Sequence, residues 1–304
     1  MFFAFFIALL ASFLFNSFFV NFGRKISILK AHRADCGPDI SKLGGVGIAC
    51  SFFIAVAFAF FRLGIFDQRL AFVLLAFGLT FFLGLADDLL DLAPLKKLFF
   101  QTLIAIFLVA AGVKTHIYFL PGFVNSILSV FWFVSIMNAF NFLDILDGLA
   151  SGISILCGAT FLYIGYTTGN IVVGVLAAAL LGSNLSFLRF NFFPAKLYMG
   201  DMGSLFNGIC FAVMAILASY ASVGSELALF APLLILALPL YDLIFVIVMR
   251  LAGRKPIIKK SRDHFVLRLV DKGMSVPRIV FRMYFFNVIF NLVAVMILST
   301  IMNN

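Results

Sequence analysis

The stretch Asn138-Ala139-Phe140-Asn141-Phe142-Leu143-Asp144-Ile145-Leu146-Asp147-Gly148 ends a long apolar run and places oxygen-bearing side chains at its exit. The run before it, over about 125–142, is long enough to cross a bilayer, since a spanning helix needs roughly 20 apolar residues. Asp144 and Asp147 then stand beside hydrocarbon, where a carboxylate is costly and by default marks a functional site. Asn141, Asp144 and Asp147 follow an i, i+3, i+6 pattern, which sets three polar side chains along one gently rotating helix stripe. Gly148 lets backbone approach closely. A polar interfacial turn with Asp147-Gly148 as its corner is the alternative reading.

The same alternation of grease and acid recurs along the chain. With 64% hydrophobic and 12% charged residues, and a mean hydropathy of +1.16, the composition excludes a soluble domain. Ten spans are expected, at about 2–21, 45–61, 70–86, 98–113, 125–142, 149–166, 171–188, 205–222, 228–249 and 279–301. The first opens directly into hydrocarbon at Met1-Phe2-Phe3 without a basic n-region, so it is expected to be a span and not a signal peptide. The fold class is therefore all-α: a polytopic membrane protein of about ten transmembrane helices, one domain over 1–304, whose five inner, cytoplasmic loops are expected to carry the functional site.

Orientation follows from the basic residues, which are retained on the cytoplasmic side. Ten spans put all but three of the 22 Lys and Arg on one set of connections, the exceptions being Arg62, Arg69 and Lys114. Both termini then fall outside, and all the acidic clusters fall on the basic side. The net charge of +9 is in the first place this topology signal, so it does not suggest nucleic acid; attraction for anionic headgroups or a phosphorylated substrate is the other reading. Cys36, Cys50, Cys157 and Cys210 lack metal-ligand spacing and read as small apolar fillers.

Two further acidic clusters stand at span ends. In Leu85-Ala86-Asp87-Asp88-Leu89-Leu90-Asp91, Asp87 and Asp91 are four apart and share a helical face, while Asp88 points elsewhere. A helix cap explains one such acid, but not three in five residues. In Tyr198-Met199-Gly200-Asp201-Met202-Gly203-Ser204, Asp201 lies between glycines at a helix start, suited to an anion or a metal, or simply to capping. Tyr198 is an interfacial belt aromatic or a platform for a flat base. The last inner loop carries His264 and Arg268, four apart and able to share a helix face that grips phosphate. Oxygen-rich clusters of this kind suit Mg²⁺, which shares its shell with water and substrate phosphates.

In this order and at these span ends, the clusters resemble the polyprenyl-phosphate N-acetylhexosamine-1-phosphate transferase family, which includes the phospho-N-acetylmuramoyl-pentapeptide transferases. The match runs from Lys42-Leu43-Gly44-Gly45 to Ser275, and the segments 138–148 and 191–204 are its most specific parts. The resemblance implies Asp201 as main Mg²⁺ ligand, with Mn²⁺ able to substitute, and Asn141 helping to hold the metal. It implies Asp87 and Asp88 at the acceptor phosphate, with Asp91 beside them, and Asp144 lining the site. Asp147 and Tyr198 would hold uracil, Asn191 would belong to the substrate site, His264 and Arg268 would contact diphosphate or sugar, and Lys42 would sit near the nucleotide. Val266 and Leu267 replace later histidines of the family's loop pattern, and Ser41-Lys42 replace its usual Pro-Arg. The Pro-x-His-His-His-Phe of the muramoyl-pentapeptide branch is absent, which favours the branch resembling undecaprenyl-phosphate GlcNAc-1-phosphate transferases.

The expected reaction is attack of a polyprenyl phosphate on a UDP-N-acetylhexosamine at the inner membrane, giving polyprenyl-diphosphate-sugar and UMP as the first membrane step of cell-envelope glycan synthesis. A phosphate is already an oxyanion near neutrality, its second pKa being about 6, so direct attack is favoured over a covalent aspartyl-phosphate. Oligomeric state stays open, a homodimer included. A Mg²⁺- or proton-coupled transporter is the alternative of another class; transport favours charge at the bilayer midplane, and here Asp242 is the main charge inside a span.

Overall fold

A computed structural model describes residues 1–22, 30–31, 40–218, 226–256 and 263–303. Several basic residues of the first and last inner connections (Arg24, Lys25, Arg33, Lys259, Lys260 and Arg262), together with His32 and Cys36, lie outside them. The helices are α1 (Phe2–Phe22), α2 (Gly44–Leu63), α3 (Gln68–Leu90), α4 (Pro94–Ala110), α5 (Gly122–Leu143), α6 (Leu149–Thr167), α7 (Ile171–Asn191) and α8 (Gly200–Leu217), followed by α9 (Phe230–Ile235), α10 (Ala237–Ala252), α11 (Phe265–Asp271) and α12 (Val276–Asn303). Two-residue strands β1 (Lys30–Ala31) and β2 (Ile40–Ser41) pair antiparallel. The chain is an all-α, multi-pass membrane protein.

Eight of these helices are long and apolar enough to cross a membrane. The two remaining expected spans take other forms. The fourth is a helix of 17 residues, α4, started by Pro94 at its first turn. The ninth is broken into α9 and α10 at Leu236. Pro239 has no N–H to donate back to Ile235, which ends the regular ladder there. The released Ile235 carbonyl accepts instead from Cys157 Sγ at 3.2 Å, so a neighbouring helix satisfies it inside the apolar region.

α8 is the central helix. In its apolar core 78% of residues are buried, against 22% in α1 and α12. It packs against α2, α3, α5, α6 and α7, while α4 lies against α3 and α5 and α12 against α6 and α9. Since lipid is as apolar as a leucine side chain, such helices associate through close packing and polar contacts. The interior carries both. Asn184 and Asn207 exchange amide hydrogen bonds of 3.1 and 3.0 Å between α7 and α8, and Asn207 also donates to Ser154 of α6. Ser12 Oγ donates to the Ser183 carbonyl at 2.8 Å, and Ser51 Oγ to Ser183 Oγ at 2.8 Å, tying α1, α2 and α7. A Cβ on Gly84 would come within 2.4 Å of the Met202 Cα, so glycine is needed where α3 crosses the start of α8.

The helices alternate in direction. At one end Arg69 Nη2 donates to the Gly112 carbonyl and Asn170 Nδ2 to the Leu217 carbonyl. At the opposite end the C-termini of α3, α5 and α7 meet the N-termini of α4, α6 and α8, and every acidic cluster named above lies there.

Candidate active site

The site is assembled from helix ends. Asp87 and Asp88 close α3, Lys97 opens α4, Asn141 closes α5, and Asp201 stands in the first turn of α8. An acid in a first turn is favoured by the positive end of the helix dipole. Lys97 joins these parts. Its Nζ lies 2.8 Å from Asp87 Oδ2 and 2.5 Å from Asp201 Oδ2, and donates to Asn141 Oδ1 at 3.1 Å. Asn141 Nδ2 in turn donates to Asp201 Oδ1 and to Ser204 Oγ, both at 3.0 Å.

Asp88 completes the arrangement from the other side. Its Oδ1 pairs with Lys42 Nζ at 3.0 Å, and its Oδ2 accepts from the Met202 N–H at 3.0 Å. Gly200 makes room for it: the residue has φ +67°, and a Cβ there would fall 2.6 Å from Asp88 Oδ2. Lys42 is placed by a short backbone pairing in which Tyr198 N–H donates to the Ser41 carbonyl and Gly44 N–H to the Tyr198 carbonyl.

A cavity of about 270 Å³ opens beside these groups, lined by Lys42, Asp88, Asp144, Ile145, Leu146, Asp147, Asn191, Tyr198, Gly200 and Asp201. Asp147 is buried, with its Oδ2 accepting from the Ala195 N–H at 3.0 Å. Asn191 is also buried. Its Oδ1 accepts from the Gly148 N–H and from Ser151 Oγ, and its Nδ2 donates to the Leu197 carbonyl. These bonds fix the corner at Gly148, which has φ +81° and whose carbonyl accepts from Tyr284 Oη.

Two expectations are corrected by this geometry. Asn141, Asp144 and Asp147 do not form a helical stripe, because α5 ends at Leu143 and the chain turns there. They reach one site because the turn folds back over it. Asp88 does leave α3 in another direction than Asp87, yet both reach the site, entering from adjacent sides towards Met202 and Lys97 respectively. Asp91 does not share their helical face, since α3 stops at Leu90 and Asp91 is an exposed, left-handed cap with φ +47°.

His264 and Arg268 do not lie on one helical face either, because His264 precedes α11 in extended conformation. Its buried ring bonds Asp242 Oδ2 through Nδ1 at 2.8 Å and stands edge-on to Phe142. Arg268 is exposed, with its guanidinium over the Phe245 ring. Neither lines the cavity, nor does Asp91.

Sequence reasoning missed Lys97, which it treated only as a topology charge. One signal was present: a lysine in the opening turns of a helix opposes the dipole, and so calls for an acidic partner. Among the described residues, no three acidic, histidine or cysteine side chains close on one point as a metal group. The seat around Lys97 has instead two carboxylates and one amide oxygen. That donor set fits Mg²⁺, which commonly takes one or two carboxylates and leaves the rest of its shell to water and phosphate. An ammonium seated at 2.5–3.1 Å from these oxygens marks the position as suited to a cation.

Fold and site together define a polytopic membrane protein with a polar, acid-lined centre at one end of its helix bundle. The family model described as glycosyl transferase family 4 matches residues 70–219. A probable undecaprenyl-phosphate N-acetylglucosaminyl 1-phosphate transferase of Bacillus subtilis (strain 168) is 32% identical over 85% of this chain and 73% of its own length. A decaprenyl-phosphate N-acetylglucosaminephosphotransferase of Mycobacterium leprae (strain TN) is 29% identical over 80% of this chain and 69% of its own. A phospho-N-acetylmuramoyl-pentapeptide-transferase of Clostridium perfringens (strain SM101 / Type A) is 36% identical, but the match spans only 45% of this chain and 48% of that protein. The chain belongs to this family of membrane sugar-1-phosphate transferases.

Proposed function

We propose that the protein transfers a sugar 1-phosphate, of the N-acetylhexosamine class, from a UDP-sugar to a polyprenyl phosphate in the inner leaflet of the cell membrane. The products are polyprenyl-diphosphate-sugar and UMP. One observation carries this reading: Asp87, Asp88, Asn141, Asp144, Asp147 and Asp201 gather at a single site between the ends of α3, α5 and α8, together with Lys42 and Lys97. Acids kept together beside a membrane need cationic partners, and a diphosphate donor with a hard cation supplies the complementary chemistry.

In this reading Asp201 and Asn141 hold Mg²⁺, with Asp87 adjoining, and Mn²⁺ can replace it. Bound there, the metal neutralises charge on the departing UMP. The chain's own residues orient the reactants. Asp147, with one oxygen fixed by Ala195, accepts from uracil, and Tyr198 offers its ring as a stacking surface. Lys42 faces the nucleotide from the cavity rim, and Asn191 holds the corner on which Asp147 sits. Asp87 and Asp88 meet the lipid phosphate, whose oxyanion attacks the sugar-proximal phosphorus directly. His264, oriented by Asp242, and Arg268 stand outside the cavity on the connection between α10 and α12, and contact with the sugar would require that connection to move towards it. Catalysis is then mainly positioning and electrostatics.

The longer match to the N-acetylglucosaminyl transferases supports GlcNAc as the first sugar to test. Purified protein in detergent, given radiolabelled UDP-GlcNAc, undecaprenyl phosphate and Mg²⁺, should yield an extractable labelled lipid and equimolar UMP. Failure to label lipid from UDP-GlcNAc, UDP-GalNAc or UDP-N-acetylmuramoyl-pentapeptide would refute the assignment. Release of UMP without lipid, one per protein, would replace direct attack by a covalent route.

A further inference from the structure

Lys97 sits where the proposed metal sits. Its ammonium touches Asp87 Oδ2, Asp201 Oδ2 and Asn141 Oδ1, one group from each of α3, α8 and α5. Two carboxylates and one ammonium leave the seat with one negative charge. A divalent ion on the same oxygens would stand against that ammonium at close range, and an ammonium has no lone pair with which to ligate it. The two cations therefore compete for one place. Lysine is equipped for such an exchange, being a compact charge on a flexible four-carbon stem.

We propose that Lys97 is a resident counter-cation, which holds the metal seat together and must withdraw its ammonium when a divalent ion loads. This rests on the reading of Asp201 and Asn141 as metal ligands. The geometry gives the device two consequences. Without the ammonium, the buried Asp87 carboxylate and the partly buried Asp201 carboxylate would face each other, and the ends of α3 and α8 would repel. Once withdrawn, the ammonium needs an anion, and the donor diphosphate provides one at the same site. Metal and diphosphate thus each relieve the cost that the other meets, and by linkage each strengthens the other's binding.

The test uses Mn²⁺ as a spin probe and UDP as a non-reacting diphosphate, with full-length protein in detergent. Free Mn²⁺ is read by electron paramagnetic resonance. The wild type should bind Mn²⁺ weakly alone and more tightly with UDP, by a factor in the range of about 5–150 usual for coupled sites. Lys97→Met should bind Mn²⁺ more tightly than the wild type without UDP, and should lose most of the UDP enhancement. Weaker or unchanged Mn²⁺ binding by Lys97→Met overturns the inference. Asp201→Asn separates the two levels of argument. If it abolishes Mn²⁺ binding while Lys97→Met gains nothing, only the counter-cation idea fails; if the wild type itself binds no Mn²⁺ with UDP present, the metal reading fails and this inference with it.

Because Lys97→Met leaves two acids facing each other, a second measurement uses the wild type alone. Acylation by an N-hydroxysuccinimide ester, located by peptide mass spectrometry, should modify Lys97 several-fold faster at saturating Mn²⁺ than without it. An unchanged rate at Lys97, with Mn²⁺ bound, is a second way for the inference to fall.

Discussion

Asp201 joins two other helices at the site: Lys97 of α4 and Asn141 of α5 both bond its carboxylate, and Asn141 is held in turn by Ser204. Asp201→Asn preserves its shape while removing the charge, and Lys97 keeps Asp87 as a partner. The variant should express and fold, yet lose more than about a hundredfold in turnover, the scale seen when a group aimed at developing charge is removed. Near-normal turnover at saturating Mg²⁺ would end the assignment. Gly200 tests the frame behind it. Alanine there costs about 1–2 kcal/mol for the left-handed backbone, and its Cβ meets Asp88 Oδ2. Gly200→Ala should lower the apparent Tm and displace Asp88 from the Met202 N–H, with lost activity that added Mg²⁺ does not restore; an unchanged Tm would argue against that strain. At this scale the sequence showed which acids to watch, because a carboxylate beside hydrocarbon is conspicuous wherever it lies. It could not show Lys97, since a lysine at a span end looks the same whether it marks topology or binds two acids. Nor could it place Asp91, whose role depends on α3 stopping one residue earlier.

Helices were legible where apolar runs stop sharply. The run read at 149–166 is α6, Leu149–Thr167, and that read at 2–21 is α1, Phe2–Phe22. Ends that carry function were less legible. α7 continues to Asn191 and α3 to Leu90, beyond the residues that hydropathy marks, because backbone hydrogen bonding does not stop at the edge of hydrocarbon. α8 begins at Gly200, five residues before the apolar run, so Asp201 lies inside the first turn instead of before it. The break between α9 and α10 was hidden as well, since Pro239 lies in an otherwise continuous apolar stretch. What holds the elements together is more polar than the composition suggests. The reciprocal amide pair of Asn184 and Asn207 joins the two most enclosed helices. Hydrogen bonds between membrane helices average roughly 0.6 kcal/mol, with about 1.7 as the upper end. A double-mutant cycle with Asn184→Ala and Asn207→Ala should give a coupling in that range, measured by reversible unfolding in mixed micelles. Strict additivity would mean that each amide is satisfied elsewhere, through Ser154 or the Leu180 carbonyl.

For the whole molecule, the separation of charge between the two ends of the bundle decides how the protein sits in its membrane. The end that holds the site also carries Lys42, Lys96, Lys97, Arg189, Lys196 and the basic residues from Arg250 to Arg282 among the described residues, whereas Arg62, Arg69 and Lys114 belong to the other. Positive charge is retained in the cytoplasm, and the UDP-sugar donor proposed above would be drawn from the same compartment, so charge and the proposed substrate call for one orientation. The agreement depends on the number of crossings between the two ends, and therefore on α4 and the α9–α10 pair acting as passages despite the short length of one and the break in the other. Single cysteines test this directly. With Cys36 replaced by serine, the remaining native thiols Cys157 and Cys210 are buried and Cys50 is partly so. His116→Cys and Lys272→Cys stand at exposed positions on opposite ends. In intact cells a membrane-impermeant maleimide should label His116→Cys and leave Lys272→Cys unlabelled until the membrane is opened. The reverse pattern would put the acid-lined cavity outside, away from nucleotide donors. Labelling of both in intact cells would show that the α9–α10 pair does not complete its passage, since α5 to α8 and that pair are all that separate the two positions.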